Sequence, residues 1–231
     1  MARLKRRGVT QAWTGSFEGV FHRDLSAANA RLARICEATG AGMLIPFGSV
    51  NPCAPGWRED LRRCHELHRM PGIRLHPNYH GYALDHPEVL PLLREARVRK
   101  LIVQIAIQLE DERTQHPLMR VAPVDPAPLA SLAAQVPDLR MVILNRARVP
   151  AGPDLKRLAG ASQVYFDLAM IEGAGCARML VETVGIDRVV FGSHSPFQYF
   201  ESALLKLKES DIAGDDEMAI VNGNAARLLT P

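Results

Sequence analysis

Short apolar runs return along the chain at a regular step, and that repeat limits the fold more than any other feature. Their starts fall near positions 8, 43, 72, 101, 141, 164 and 188, and they read "GVTQAW", "MLIPFGSV", "GIRLH", "LIVQIAI", "MVILN", "VYFDLAM" and "RVVFGS". Each is too short for a helix and most are rich in β-branched or aromatic residues, so each reads as a buried strand. Amphipathic stretches lie between them. Asp24 or Ser26 stands as a cap before "AANARLARICEAT", and Gly40 stops that helix. Further stretches are "WREDLRRCHELHRM", "PEVLPLLREARV", "APLASLAAQV", "AGCARMLVETVG", "YFESALLKLKE" and "DDEMAIVNGNAARLL", the last bent near Gly223. A step of about 30 residues is one strand plus one crossover helix, which makes successive strands parallel. Seven such units, with no linker or change in composition, predict a single α/β domain over residues 1–231, a TIM-like (β/α) barrel. A complete barrel has eight strands in roughly 250 residues. The first strand is therefore missing from the pattern, and "MARLKRRG" reads as the end of a helix that would follow it. An open edge inside a barrel is a pairing hazard. Three covers are expected: direct pairing of the last strand with the first visible one, a plug from the N-terminal residues, or a second copy in a homo-oligomer. A doubly wound open sheet is the alternative architecture, but no strand is followed by a Gly-rich phosphate loop.

Charge and composition exclude several partners. The 28 basic and 25 acidic residues leave a net charge of +3, too balanced for nucleic acid or a membrane surface as the main partner. No apolar run nears the ~20 residues of a membrane span, and no apolar h-region follows the basic start, so a cytoplasmic protein is expected. Cys36, Cys53, Cys64 and Cys176 show no framework spacing and read as reduced thiols. Cys53, Cys64, His65 and His68 fit none of the common zinc patterns. They read instead as a loop cysteine followed by a surface helix.

Within the strands, alternation carries the functional signal. In a barrel the outer face of each strand meets the helices and is apolar, while inward positions near the C-terminal end can be polar. Leu101, Val103, Ile105 and Ile107 share one face of their run, and Ile102, Gln104, Ala106 and Gln108 the other. Arg74 and His76 oppose Ile73 and Leu75, and Tyr165 and Asp167 oppose Phe166 and Leu168. Asn145 follows Met141 and Ile143, His194 follows Val190 and Gly192, and Asn51 ends its run. The ring Asn51, Arg74, His76, Gln104, Gln108, Asn145, Asp167 and His194 is expected at one mouth, lined for a small-molecule ligand. Arg74 suits a carboxylate, and His76 and His194 are the candidates for acid or base work near neutral pH. The structural alternative pairs Arg74 with Asp167 and uses His76 to bond a backbone carbonyl. Tyr79, His80 and Tyr82 fall in the loop above the mouth, where they contact a ligand or order the loop; Tyr79 and Tyr82 are taken as ligand-binding candidates. Ser195 follows His194 without a nucleophile elbow, which argues against a serine nucleophile. The charged "LEDERTQHPL" reads as a loop or lid.

Four stretches, "IPFGSVNP", "GIRLHPNYHGYALDHPEVLPLLREA", "DRVVFGSHSPF" and "VNGNAARLL", resemble the amidohydrolase superfamily, in the branch of aminocarboxymuconate-semialdehyde decarboxylases and pyrone-dicarboxylate lactonases. The likeness runs from about Met1 to Leu229. It implies a TIM-like barrel with a divalent metal, usually zinc, that activates water or polarises a substrate. The family's ligands are a His-x-His pair on strand 1, a His on strand 5, often a His on strand 6, and an Asp on strand 8. Here strand 1 is missing, and Gln104, Asn145 and His194 stand at the other three positions. Amides are poor ligands for transition metals. The expectation is therefore a degenerate site with no metal cofactor, binding a small carboxylated or cyclic ligand or a partner chain. The alternative is an active hydrolase or decarboxylase on such a substrate, metal-independent or with zinc or another divalent ion in a site rebuilt from His76, Asp167 and His194.

Overall fold

The computed structural model describes residues 2–40, 42–147, 158, 160 and 163–230. Seven strands form one parallel sheet in chain order: β1 (Ala12–Thr14), β2 (Leu44–Ser49), β3 (Gly72–Leu75), β4 (Ile102–Ala106), β5 (Met141–Leu144), β6 (Val164–Asp167) and β7 (Val189–Val190). Among the described residues no ladder joins β7 to β1, so the sheet is a curled, incomplete TIM barrel of the α/β class. Helices cover its outer face because the crossovers between parallel strands must return on that side. The helix Leu25–Gly40 shows the logic: Asp24 Oδ1 accepts the Ala27 N–H at 2.9 Å, and Leu25, Ala28, Leu32 and Cys36 form the buried stripe.

The alternation of faces is as the sequence implies for β3, β4 and β6. Ile73, Leu75, Val103, Ile105, Phe166 and Leu168 belong to the main core between strands and helices. A second, smaller core fills the inside of the curl with Trp13, Ile45, Phe47, Ile102, Val142, Leu144, Tyr165 and Val190. Trp13 stacks on Phe47 with ring centroids 4.9 Å apart. Gly72 makes room for that pair: a Cβ there would lie 2.4 Å from a Phe47 ring carbon and from the Ile102 carbonyl oxygen. Leu228 and Leu229, on the last helix (Asn224–Leu229), close this inner core. Asn224 Nδ2 fastens the helix to the Val189 carbonyl at 2.6 Å, and Arg140 Nη1 donates to the Leu228 carbonyl at 2.6 Å. Apolar side chains thus fill most of the inside, and polar groups join them toward the C-terminal ends of the strands and just beyond.

Two contacts tie the start of the chain to the segment after β7. Arg7, just past the helix Ala2–Arg6, pairs with Glu201 on the helix Phe200–Glu209. Phe17 packs on Phe197 with centroids 5.4 Å apart. The exposed ion pair adds little stability, and both rings remain largely exposed, so the two contacts join the ends of the chain without burying much apolar surface. No helix among the described residues is long and apolar enough to cross a membrane.

Candidate functional site

Arg74 lies opposite Gln104 in the β3–β4 register, so their side chains project side by side from the same face of the sheet. Arg74 Nε donates to Gln104 Oε1 at 2.8 Å. That bond orients the guanidinium while Nη1 and Nη2 make no hydrogen bond among the described residues. Gly15, just beyond β1, packs on this group: a Cβ there would sit 2.6 Å from Nη1. Burial lowers the Arg74 pKa to about 10, partly offset by the negative field of Asp167, so the group stays cationic at neutral pH. The Arg74–Asp167 ion pair of the structural alternative does not form among the described residues. Arg74 takes the amide of its neighbour instead, because β4 is adjacent in the sheet and β6 is two strands further on.

Asp167 ends β6 and is 5% exposed. Asn145 donates its backbone N–H to Oδ1 at 2.8 Å, and the Ala169 N–H nearby also favours the charged carboxylate. Burial nevertheless raises the Asp167 pKa to about 6, against those hydrogen bonds and the fields of Lys206 and Arg74. Gly192 approaches its other oxygen, with a would-be Cβ only 2.2 Å from Oδ2.

Asn145 reaches the mouth by a route that alternation does not give. Met141 and Ile143 face the outer core, so strict parity sends Asn145 outward as well. Its φ of 58° is left-handed, and this turn carries it inward, a conformation that asparagine tolerates better than most residues. His194 is also left-handed, with φ 47°. Its Nε2 lies 2.8 Å from the Leu109 carbonyl oxygen and its Nδ1 3.3 Å from Asn145 Nδ2. A carbonyl can only accept, so the proton sits on Nε2 and Nδ1 accepts from the amide. The ring thus joins the loop after β4, through Nε2, to the residue that follows β5, through Nδ1, and burial lowers the His194 pKa.

His76 is 2% exposed, its Nδ1 has no hydrogen-bond partner, and burial followed by the charge of Arg74 lowers its pKa well below the usual histidine value. The bond from His76 to a backbone carbonyl, the structural alternative, is absent among the described residues. Its ring meets His80 edge-on at 5.7 Å, and His80 Nε2 donates to the Gly19 carbonyl at 2.9 Å.

The remaining candidates are dispersed. Asn51 Oδ1 accepts the Cys53 N–H at 2.9 Å and shapes its own turn. Tyr82 packs into the outer core, with its hydroxyl buried and unpartnered. Gln108 contacts Met170 and lines a cavity of about 1020 Å³ between the loop after β4 and the helix Phe200–Glu209. Tyr79 stands at the rim, with its hydroxyl 3.5 Å from Glu110. Sequence reasoning missed the rest of this rim. Tyr79, Phe21, Phe17 and Phe197 form a chain of ring contacts at 5.6, 5.1 and 5.4 Å, and Phe197 reaches the His194 ring at 5.3 Å. Phe17 and Phe197 are 57% and 61% exposed, so the rim is apolar and open. The only sequence signal was aromatic residues soon after the first and last strand runs.

Known proteins give a consistent setting. The structure resembles 5-carboxyvanillate decarboxylase from Sphingomonas paucimobilis, with TM-score 0.74, 16% identity, and coverage of 99% of this chain and 81% of that one. It also resembles 2,6-dihydroxybenzoate decarboxylase from Rhizobium, with TM-score 0.70, 15% identity, and coverage of 98% and 85%. A third relative is the dihydroxybenzoic acid decarboxylase from Polaromonas sp. JS666, solved with bound manganese and 2-nitroresorcinol, with TM-score 0.72, 13% identity, and coverage of 99% and 84%. These likenesses concern the fold. No curated protein sequence matches. The sequence model described as "Amidohydrolase" matches residues 7–230, nearly the whole chain, and the chain belongs to that family.

Proposed function

We propose that the mouth binds a small carboxylate, with Arg74 as the cation that receives it and the aromatic rim as the wall for a flat or cyclic body, and that it does so without a divalent metal. The observation that carries this reading is the Arg74 guanidinium, held through Nε by Gln104 while neither Nη group is hydrogen-bonded among the described residues; a guanidinium so placed suits the two parallel bonds of a carboxylate. The donor set does not fit a divalent ion. Gln104, at the family's strand-5 ligand position, spends its oxygen on a guanidinium. His194, at the strand-8 position, has both nitrogens engaged. Asn145 offers that histidine an amide N–H, which is not a ligand atom. A fixed positive charge among these groups also opposes a second cation.

Calorimetric titration with benzoate in a buffer containing a chelator tests this. Wild type binds at one site. Arg74→Met loses two charge-assisted bonds worth about 1.5 kcal/mol each, an affinity loss on the order of 100-fold. Undiminished binding in that variant, or binding only after manganese is added, contradicts the reading.

The second reading is an active decarboxylase on a cyclic carboxylate, favoured by the decarboxylases among the structural relatives. Release of carbon dioxide from dihydroxybenzoates distinguishes it from binding alone.

A further inference from the structure

The cavity of about 1020 Å³ that Gln108 lines is built apart from the mouth: among the described residues, none of Arg74, Gln104, Asp167 and His194 lines it. One wall is the loop after β4, which runs from 107 to 128 without regular structure, a length that in a compact domain usually carries a function. The loop is pinned rather than loose. The Val124 N–H donates to the Ile107 carbonyl at 2.9 Å, and the Gln115 amide exchanges hydrogen bonds with the Val121 backbone at 3.1 and 2.9 Å. The loop after β6 and the helix Phe200–Glu209 complete the walls. Ile107, Val124, Met170, Ile171 and Leu205 make much of the lining apolar, and no aromatic ring lines it among the described residues.

Two polar groups in this lining have hydrogen-bonding capacity to spare. Gln108 is only 7% exposed, its amide meets the Met170 sulfur at 4.0 Å, and its Oε1 has no partner among the described residues. Lys206 Nζ donates to the Leu168 and Ala169 carbonyls, which leaves the third N–H of the ammonium unused. Enclosed groups of this kind call for a polar guest. Its sign follows from where the charges sit. Arg113 pairs with both Asp111 and Glu172, joining the two loops. The other two carboxylates of the lining, Glu112 and Glu209, are exposed, where water and salt screen them. Lys206 and Arg146 are half-buried, where a charge acts through a lower dielectric. The interior therefore favours an anion. Without a ring to stack on, a flat aromatic body gains little there, whereas a flexible aliphatic chain suits the apolar walls.

We propose that this cavity is a second ligand site, distinct from the mouth, for an amphipathic aliphatic carboxylate of the medium-chain fatty-acid class. Lys206 pairs with the carboxylate, the Gln108 amide offers a second polar contact, and Ile107, Met170, Ile171 and Leu205 enclose the chain. The volume is ample, since pockets for small organic ligands measure roughly 300–1000 Å³. The bridge of Arg113 between the loops is exposed, and ion pairs of that kind cost little to open, so the loops can part for the chain to enter. The inference uses no residue of the mouth and stands or falls apart from the reading of Arg74.

Calorimetric titration of the full chain with butyrate, hexanoate, octanoate and decanoate tests this. Affinity is expected to rise about fourfold per added methylene group. Arg74→Met, which loses benzoate, keeps octanoate at wild-type affinity. Lys206→Met keeps benzoate and weakens octanoate by on the order of 10-fold or more, the loss of one charge-assisted bond. Leu205→Glu gives the same pattern by setting a like charge beside the chain; Leu205 is 52% exposed, so the helix tolerates the change and the test survives if Lys206→Met does not fold. Circular dichroism verifies the fold of each variant. Absence of octanoate binding to wild type overturns the inference, as does an affinity that stays flat with chain length. Octylamine bound more tightly than octanoate overturns the sign of the guest. Octanoate lost in Arg74→Met and unaffected in both cavity variants sits in the mouth, which overturns the second site and leaves the carboxylate reading standing. Wild type that binds octanoate as described and ignores benzoate does the reverse.

Discussion

Replacing Asp167 with asparagine tests the electrostatic character of the mouth without any ligand. The carboxyl is enclosed, and its pKa stands at about 6 against an ordinary value of 3.8. At 1.36 kcal/mol per pKa unit the displacement corresponds to about 3 kcal/mol. The sign follows from proton counting. Between those two values the folded chain holds more protons than the unfolded chain, so stability falls as pH rises through the window. By pH 7 the ionised carboxylate costs the fold about 3 kcal/mol relative to its state below pH 4. Asparagine keeps an acceptor oxygen for the Asn145 N–H and does not ionise. The stability of Asp167→Asn relative to wild type therefore rises by about 2.4 kcal/mol between pH 4 and pH 7, since the unfolded carboxyl is already partly ionised at pH 4. Urea unfolding of both proteins at pH 4, 5, 6 and 7 measures the difference, and the remaining carboxylates cancel to the extent that they titrate alike in the two chains. A difference that stays flat with pH refutes the reasoning. One that moves the other way means that Asp167 has a depressed pKa, as an ion-paired or metal-bound carboxylate would.

Two substitutions probe the frame and the rim. Gly72→Ala places a methyl 2.4 Å from the Phe47 ring and from the Ile102 backbone oxygen, which cannot swing away. It is expected to cost at least about 2 kcal/mol, seen as a fall of roughly 4–8 °C in a thermal melt; an unchanged melt argues against the packing of the inner core. Phe197→Ala removes the ring that joins Phe17 to His194. It should weaken benzoate by about 0.5–1.5 kcal/mol, the range of an aromatic contact, and leave acetate unaffected. Equal losses for both ligands would place the rim away from the ligand body.

The barrel was legible because its signal is redundant. Seven apolar runs at one spacing name the strands, and alternation within β3, β4 and β6 sorts core residues from mouth residues. The same rule brought Arg74, Gln104 and Asp167 to one place, since regular strands carry it that far. It failed where the chain leaves the strands. Asn145 lies one residue beyond β5, and a left-handed backbone reverses its parity. Tyr82 lies beyond the short helix Pro77–His80 and turns into the outer core. The partner of Arg74 was left open in the sequence because alternation states which face a residue shares, and the order of strands decides which neighbour it can touch. The aromatic rim depends on the ends of the chain meeting around an incomplete barrel, which no local pattern encodes. The family resemblance named the ligand positions, and the metal-free reading proposed above rests on the chemistry of the residues that stand there.

The most direct test is a crystal structure of chelator-treated protein grown with benzoate. The account predicts density for the carboxylate against Nη1 and Nη2 of Arg74, with the ring beside Phe17 and Phe197 and the Gln104 bond intact. Benzoate bound elsewhere, or a coordinated ion among Gln104, Asp167 and His194, would contradict it.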